Sequence, residues 1–198
     1  MKIGNTSPRW KWYHGVLLFL GMQIVSAVAT ESVKKQQEVS QKDRAFYKRL
    51  KQPRFAPPGY VFGPVWLINI VLDIVGMLHV SKQKPSAYRT AYLGCKTLAT
   101  LIYCSFGAVY FGLRSPIGAA MLTVADLGVN LTSLTLALKS GDRKAAWLHM
   151  TLIPWLALAS VTSVCMALWN RDPFFKQPVT FTPPAAVLKE RKSAEAAS

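Results

Sequence analysis

The sequence predicts an all-α integral membrane protein, a bundle of five transmembrane helices with a long charged first loop. Three observations carry this expectation. Hydrophobic residues make up 51% of the 198 residues and charged residues only 17%, against roughly 25% charged in an ordinary soluble domain. The apolar residues gather in five runs, each close to the ~20 residues that cross a bilayer. The charge is basic, with 24 Lys+Arg against 9 Asp+Glu, and almost all of the basic residues lie between the runs.

Mean hydropathy is +0.21, which excludes a disordered basic tail protein. The length allows one domain or two small ones. The three cysteines, Cys95, Cys104 and Cys165, all sit in apolar stretches. That excludes a disulfide-stapled secreted scaffold and a cysteine zinc site.

Residues 1–11 form an N-terminal segment, residues 12–172 the transmembrane domain, and residues 173–198 a proline-containing polar tail. The first span, 12–30, holds no formal charge. Its basic approach (Lys2, Arg9, Lys11) resembles a signal peptide. The run is long for that, and no ordinary soluble domain follows, so a retained helix is expected. A loop of residues 31–59 comes next. Its first part lacks any apolar run and reads as a polar helical piece; its second, Lys51 to Gly59, is too rich in proline for a regular helix.

The second span, 60–80, is interrupted by Asp73. A polar link, Ser81 to Thr90, leads to the third span, 91–113, with Lys96 near its start. Arg114-Ser115 is almost the whole connection to the fourth span, 116–138, so these two helices should be antiparallel neighbours. Pro116 suits a first helical turn, where its missing N–H is not needed. The turn Lys139 to Lys144 contains Gly141, a natural helix terminator, and the fifth span covers 145–169.

Tryptophans mark the interfaces: Trp10 and Trp12, Trp66, Trp147 and Trp169 lie near span ends, where an amphipathic ring favours the headgroup level. Trp155 lies deeper. The side holding the amino terminus carries nine Lys/Arg and the other side fourteen, Lys96 being inside a span. The excess puts the carboxyl terminus in the cytosol.

No catalytic constellation is present. His14, His79 and His149 stand singly, and neither a phosphate loop nor a nucleophile elbow occurs. A binding protein is expected, not an enzyme, with no catalytic residue, metal or cofactor. The basic loops match anionic lipid headgroups better than nucleic acid. Asp73 and Asp126 lie well inside their spans. A carboxylate there either lines a ligand cavity or ion path, or bonds between helices to Asn69, Asn130, Thr132 or Ser133. The second reading is favoured. Lys96 reads as a helix-end residue that snorkels. The aromatics Phe55, Tyr60, Phe62 and Trp66 either wall a cavity whose lid is stiffened by Pro57 and Pro58, or merely anchor the interface.

The segment Phe46-Tyr47 … Leu50-Lys-Gln-Pro53-Arg-Phe55-Ala-Pro57-Pro58-Gly-Tyr60 … Pro64-Val-Trp66 resembles the translocator protein family, the tryptophan-rich sensory proteins once called peripheral benzodiazepine receptors. That family carries an aromatic pair, Leu-x-x-Pro, an aromatic, Pro-Pro, an aromatic and Pro-x-Trp into its second helix. Tyr110-Phe111-Gly112, Ser115 to Ala120, Ile153-Pro154-Trp155-Leu156-Ala157 and Leu168 to Asp172 resemble later family segments in order. The resemblance covers about residues 10–172.

It implies a five-helix membrane fold with a cavity for a flat hydrophobic ligand, a tetrapyrrole (porphyrin) or sterol-type lipid such as cholesterol, bound for transport or sensing. It points to Phe55, Tyr60 and Trp66 as aromatic walls, Pro57 and Pro58 as lid stiffeners, and Trp155 and Asp126 as deeper lining. It implies a mitochondrial outer membrane or another organelle membrane, lipid partners, and a homodimer using the small residues Gly107, Gly112, Gly118 and Ala119. The departures are specific. Tyr60 stands where tryptophan is usual, Leu67 and Ile70 replace threonine and tyrosine, and Met166 replaces asparagine. Leu122 takes the place of an acidic residue, with Asp126 one turn later. With the long charged loop, these favour an alternative: a structural subunit of a larger membrane complex that reuses the fold without the ligand.

Overall fold

The computed structural model describes residues 11–36 and 49–189. Trp10, residues 37–48 of the polar helical piece expected over 31–50, and the end of the tail from 190 lie outside them. The described residues form helices α1 (Trp12–Gln36), α2 (Gly59–Ser81), α3 (Ala87–Gly107), α4 (Pro116–Lys139), α5 (Arg143–Trp147) and α6 (Leu152–Trp169). A π-helical turn, Ala108–Gly112, closes α3, and a 3₁₀ turn, Ala185–Val187, lies in the tail. No strand occurs among the described residues. Five segments are long and apolar enough to cross a membrane, α5 and α6 together making the fifth.

Local chemistry sets the helix ends. Ser86 caps α3 by accepting the Arg89 N–H, and Ser115 caps α4 by accepting the Gly118 N–H with Pro116 in the first turn. Gly141 takes the left-handed conformation (φ 74°) that stops α4. Asp142 then opens α5 by accepting the Ala145 N–H at 3.0 Å. The same carboxylate accepts from Gln83 and Tyr88 and contacts His79, tying this turn to the α2–α3 link.

Two expectations change. The fifth span is broken, with turns across Leu148 to Thr151 between α5 and α6. Pro154 is the cause: it has no N–H for the Met150 carbonyl, and its ring crowds that carbonyl. The third helix starts at Ala87, four residues before the expected boundary, because Ser86 supplies a cap that makes the polar turn Ala87 to Thr90 helical. Lys96 is therefore deep in the helix and wholly buried, not snorkelling at its end.

α4 packs along α6 on one side and α3 on the other; α1 lies against α3 and its π turn. Gly107 and Gly112 receive Thr30 and Val33 of α1, and Gly118 receives Val109. These small residues thus serve packing within the chain. α2 leans on α1, α3 and α5 and barely touches α6, which leaves a cleft between α2 and α6. The bundle has the distribution a bilayer demands. Leu17, Ile24, Leu101, Met121 and Val161 face outward, while Asn69, Lys96, Asp126, Asn130 and Ser133 are buried.

At the end where α2 begins and α6 finishes, polar contacts staple the chain. Asp172, wholly buried, accepts from Ser115 Oγ (2.7 Å) and the Ile117 N–H (2.9 Å) at the start of α4. Asn170 exchanges two hydrogen bonds with the Lys51 backbone. The polar tail, residues 173–198, is described as far as residue 189. Most of its described residues are exposed, but it turns back along the proline loop. Arg54 N–H donates to Val187 O, Lys189 N–H to Gln52 O, and Lys189 Nζ to Ala56 O. Phe174, Phe175 and Phe181 of the tail are exposed, as are Phe55 and Tyr60, as aromatics at a headgroup level would be.

Candidate functional site

Three helices meet at a buried polar cluster. Lys96 of α3 donates to the Asp73 carboxylate of α2 and to Asn130 Oδ1 of α4 at 2.6 Å. Asn130 Nδ2 donates to Asp126 Oδ1 and to the Asp126 carbonyl, both at 2.9 Å. Lys96 also lies 5.9 Å from the Tyr92 ring centroid, a cation–π contact. An ammonium inside a bilayer is tolerable only when its donors are used and its charge is matched. Here Lys96 is 0% exposed and Asn130 1%. Of the partners expected for Asp73 and Asp126, Asn130 is the one found in the cluster: it bonds Asp126 within α4 and is joined to Asp73 through Lys96.

Beside the cluster lies a cavity of about 30 Å³, lined by Trp66, Asn69, Asp73, Tyr103, Asp126 and Asn130 with apolar neighbours including Met22, Ile70 and Leu152. That is the volume of about one water molecule. Trp66 and Tyr103 close it, their ring centroids 5.8 Å apart. On the other side of Asn69 is the α2–α6 cleft, about 520 Å³, walled by Val65, Ile68, Asn69, Met150, Thr151, Pro154, Trp155 and Leu158. The Phe62 ring meets Trp155 edge-on at 5.2 Å.

Two residues of the cleft wall hold buried donors without a partner. Asn69 is 2% exposed; its Oδ1 accepts from Thr151 Oγ1 at 2.9 Å, but its Nδ2 has no partner among the described residues. Trp155 is 9% exposed and its Nε1 likewise has none. A buried unsatisfied donor costs about 1–3 kcal/mol, and both of these belong to residues that wall one cleft.

The structure brings together only part of the expected site. Trp66 and Asp126 line the small cavity, and Trp155 walls the adjoining cleft. Phe55 and Tyr60 are 52% and 81% exposed, and neither they nor Pro57 and Pro58 line the cavity or the cleft. Asn69, Lys96 and Thr151 were not foreseen as site residues. Asn69 had a detectable signal, a lone amide in an apolar run. Lys96 was masked by the misplaced start of its helix.

Comparison with known proteins agrees with this architecture. Residues 15–169 match the TspO/MBR family. The chain is also 29% identical over 140 residues to "Tryptophan-rich protein TspO" of Archaeoglobus fulgidus, an alignment that covers 66% of this chain and 84% of that protein. A match over most of the chain, through all five spans and the cluster they enclose, makes this protein a member of the TspO/MBR family.

Proposed function

We propose that this protein binds a flat hydrophobic ligand, a tetrapyrrole or sterol-type lipid, within its membrane bundle, and acts by binding it for transport or sensing, not by catalysis. The observation that carries this reading is the α2–α6 cleft with two buried, unpartnered donors in its wall. Its size falls within the ordinary range for small-molecule sites, roughly 300–1,000 Å³. Its apolar walls with Trp155 and Phe62 suit a ring system. Phe55, Pro57, Pro58 and Tyr60 would belong to an outer lid, held by the tail. Titration of the chain in lipid nanodiscs with protoporphyrin and, separately, with a fluorescent sterol tests the reading through tryptophan emission. Saturable binding of either below about 100 μM supports it, and no saturable binding of both refutes it. The same reading puts the protein in a mitochondrial outer membrane or another organelle membrane, which fractionation of source cells tests.

A second reading is favoured by the paired loop and tail at one membrane face, which form a ready docking arm. In it the protein is a subunit of a larger membrane complex. Native electrophoresis after mild extraction separates the two: a homodimer or monomer band supports ligand binding alone, and a particle of several hundred kilodaltons supports assembly.

A further inference from the structure

We propose that residues 170–181, just past α6, form a membrane anchor that selects anionic lipid. Phe174, Phe175 and Phe181 enter the headgroup region of the protein's own bilayer, and Arg171 and Lys176 meet the phosphate or carboxylate of the lipid. The inference is independent of what the cleft binds. The fifth span ends at Trp169, so the chain beyond it lies at headgroup level. It does not run off into water. The N–H groups of Thr180 and Phe181 both donate to the Leu168 carbonyl, at 3.1 and 2.9 Å. The segment is therefore a closed loop with adjacent ends, set against the last turn of a span.

The frame of the loop is fixed from inside. Asp172 and Gln177 exchange backbone hydrogen bonds at 2.9 and 3.0 Å, and Asp172 Oδ1 accepts the Phe175 N–H at 2.9 Å. Asp172 Oδ2 accepts from Ser115 Oγ and the Ile117 N–H, which fastens the loop to the start of α4. This frame presents Phe174-Phe175-Lys176 at its tip. Lys176 sits at φ 53°, in the left-handed region where glycine or asparagine is the ordinary choice; lysine there puts a charge at the tip. Phe174, Phe175 and Phe181 are 47%, 50% and 54% exposed. The first two rings meet edge-on at 5.0 Å. Three such rings on one short loop are unfavourable in water and favourable at the boundary between headgroups and acyl chains.

Charge selects the lipid. Arg171 and Lys176 are exposed, whereas Asp172, the one acidic residue of residues 170–181, is wholly buried with both oxygens bonded. The loop thus shows outward only positive charge. Arg54, also exposed, joins it through the tail, its N–H donating to Val187 O. Each basic residue at an anionic membrane surface strengthens attraction roughly fivefold.

The test places 4-trifluoromethylphenylalanine at position 175 of the full chain, in phosphatidylcholine nanodiscs holding a minor fraction of 5-doxyl lipid. Spin-labelled phosphatidylserine should broaden the fluorine signal at least about threefold more than spin-labelled phosphatidylcholine, and a soluble gadolinium chelate should broaden it little. High salt should shrink the difference between the lipids. The double substitution Arg171→Gln with Lys176→Gln, both at exposed positions, should remove at least half of that difference while both lipids still broaden the signal. An unchanged gel-filtration profile shows that the variant is folded. Equal broadening by the two lipids, or a preference untouched by the double substitution, overturns the proposal. Strong broadening by gadolinium with none by either lipid also overturns it, and leaves this face to a protein partner.

Discussion

Lys96 of α3, wholly buried, holds Asp73 of α2 in an ion pair, and the same ammonium reaches Asn130 of α4. One side chain thus joins three of the five spans. Removing one partner of a buried pair leaves an uncompensated charge, at about 3–5 kcal/mol. Asp73 keeps some exposure, so Lys96→Met should cost about 3 kcal/mol, at the lower end of that range. The double substitution Lys96→Met with Asp73→Leu should recover at least half of the loss. Unfolding in mixed micelles, run as a double-mutant cycle, reads both.

Asp142 predicts an acid-sensitive joint at the opposite face. Burial raises its pKa, but hydrogen bonds from the Ala145 N–H, Gln83 and His79 outweigh burial and hold the carboxyl below its ordinary 3.8. A depressed folded pKa means that the ionised form is favoured by folding. Its stabilising contribution is complete above the unfolded value and is lost as pH falls through the folded one. Comparing midpoints at about pH 5 and about pH 3, the wild type should lose stability, and Asp142→Asn, already weaker at the higher pH, should lose less.

Gly112 predicts a steric contact between α1 and the π turn. A Cβ there would stand 2.7 Å from Val33 Cγ1 and 2.9 Å from Val33 Cβ. Gly112→Ala should therefore destabilise by about 1–3 kcal/mol. Val33→Ala, made in the same chain, should return only part of that, because it removes Cγ1 but keeps the Cβ 2.9 Å away.

The tail predicts protection of the proline loop. Truncation after Thr182 removes the Val187 and Lys189 hydrogen bonds to Arg54, Gln52 and Ala56. Trypsin cleavage at Arg54-Phe55, followed by mass spectrometry, should become several-fold faster, since local opening controls access. Equal cleavage rates would show that the strap contributes nothing.

The fold was largely legible because length and hydropathy suffice to mark a bilayer span, and the five spans stand where the apolar runs lie. The errors have particular causes. The break before α6 needed Pro154 to be weighed against a continuous apolar run, and the run concealed it. The true start of α3 depended on one cap, Ser86, and moving it by a turn turned Lys96 from an apparent end residue into the centre of the cluster. The site was less legible, because it is a matter of which helices stay apart. Trp66, Asp126 and Trp155 could be named as inward residues, but nothing in the order of residues shows that α2 stands off α6. Asn69 acquires its role only from that gap.

The central claim, a ligand site in the α2–α6 cleft, is tested most directly by filling the cleft. Ile68 lines it and faces lipid, so Ile68→Trp should block entry without disturbing the buried cluster. A fluorescent sterol titrated into wild-type protein in nanodiscs should give saturable energy transfer below about 100 μM, and Ile68→Trp should weaken it about tenfold or more. Saturable binding of equal strength in both proteins, or transfer that rises linearly without saturation in the wild type, would contradict the account.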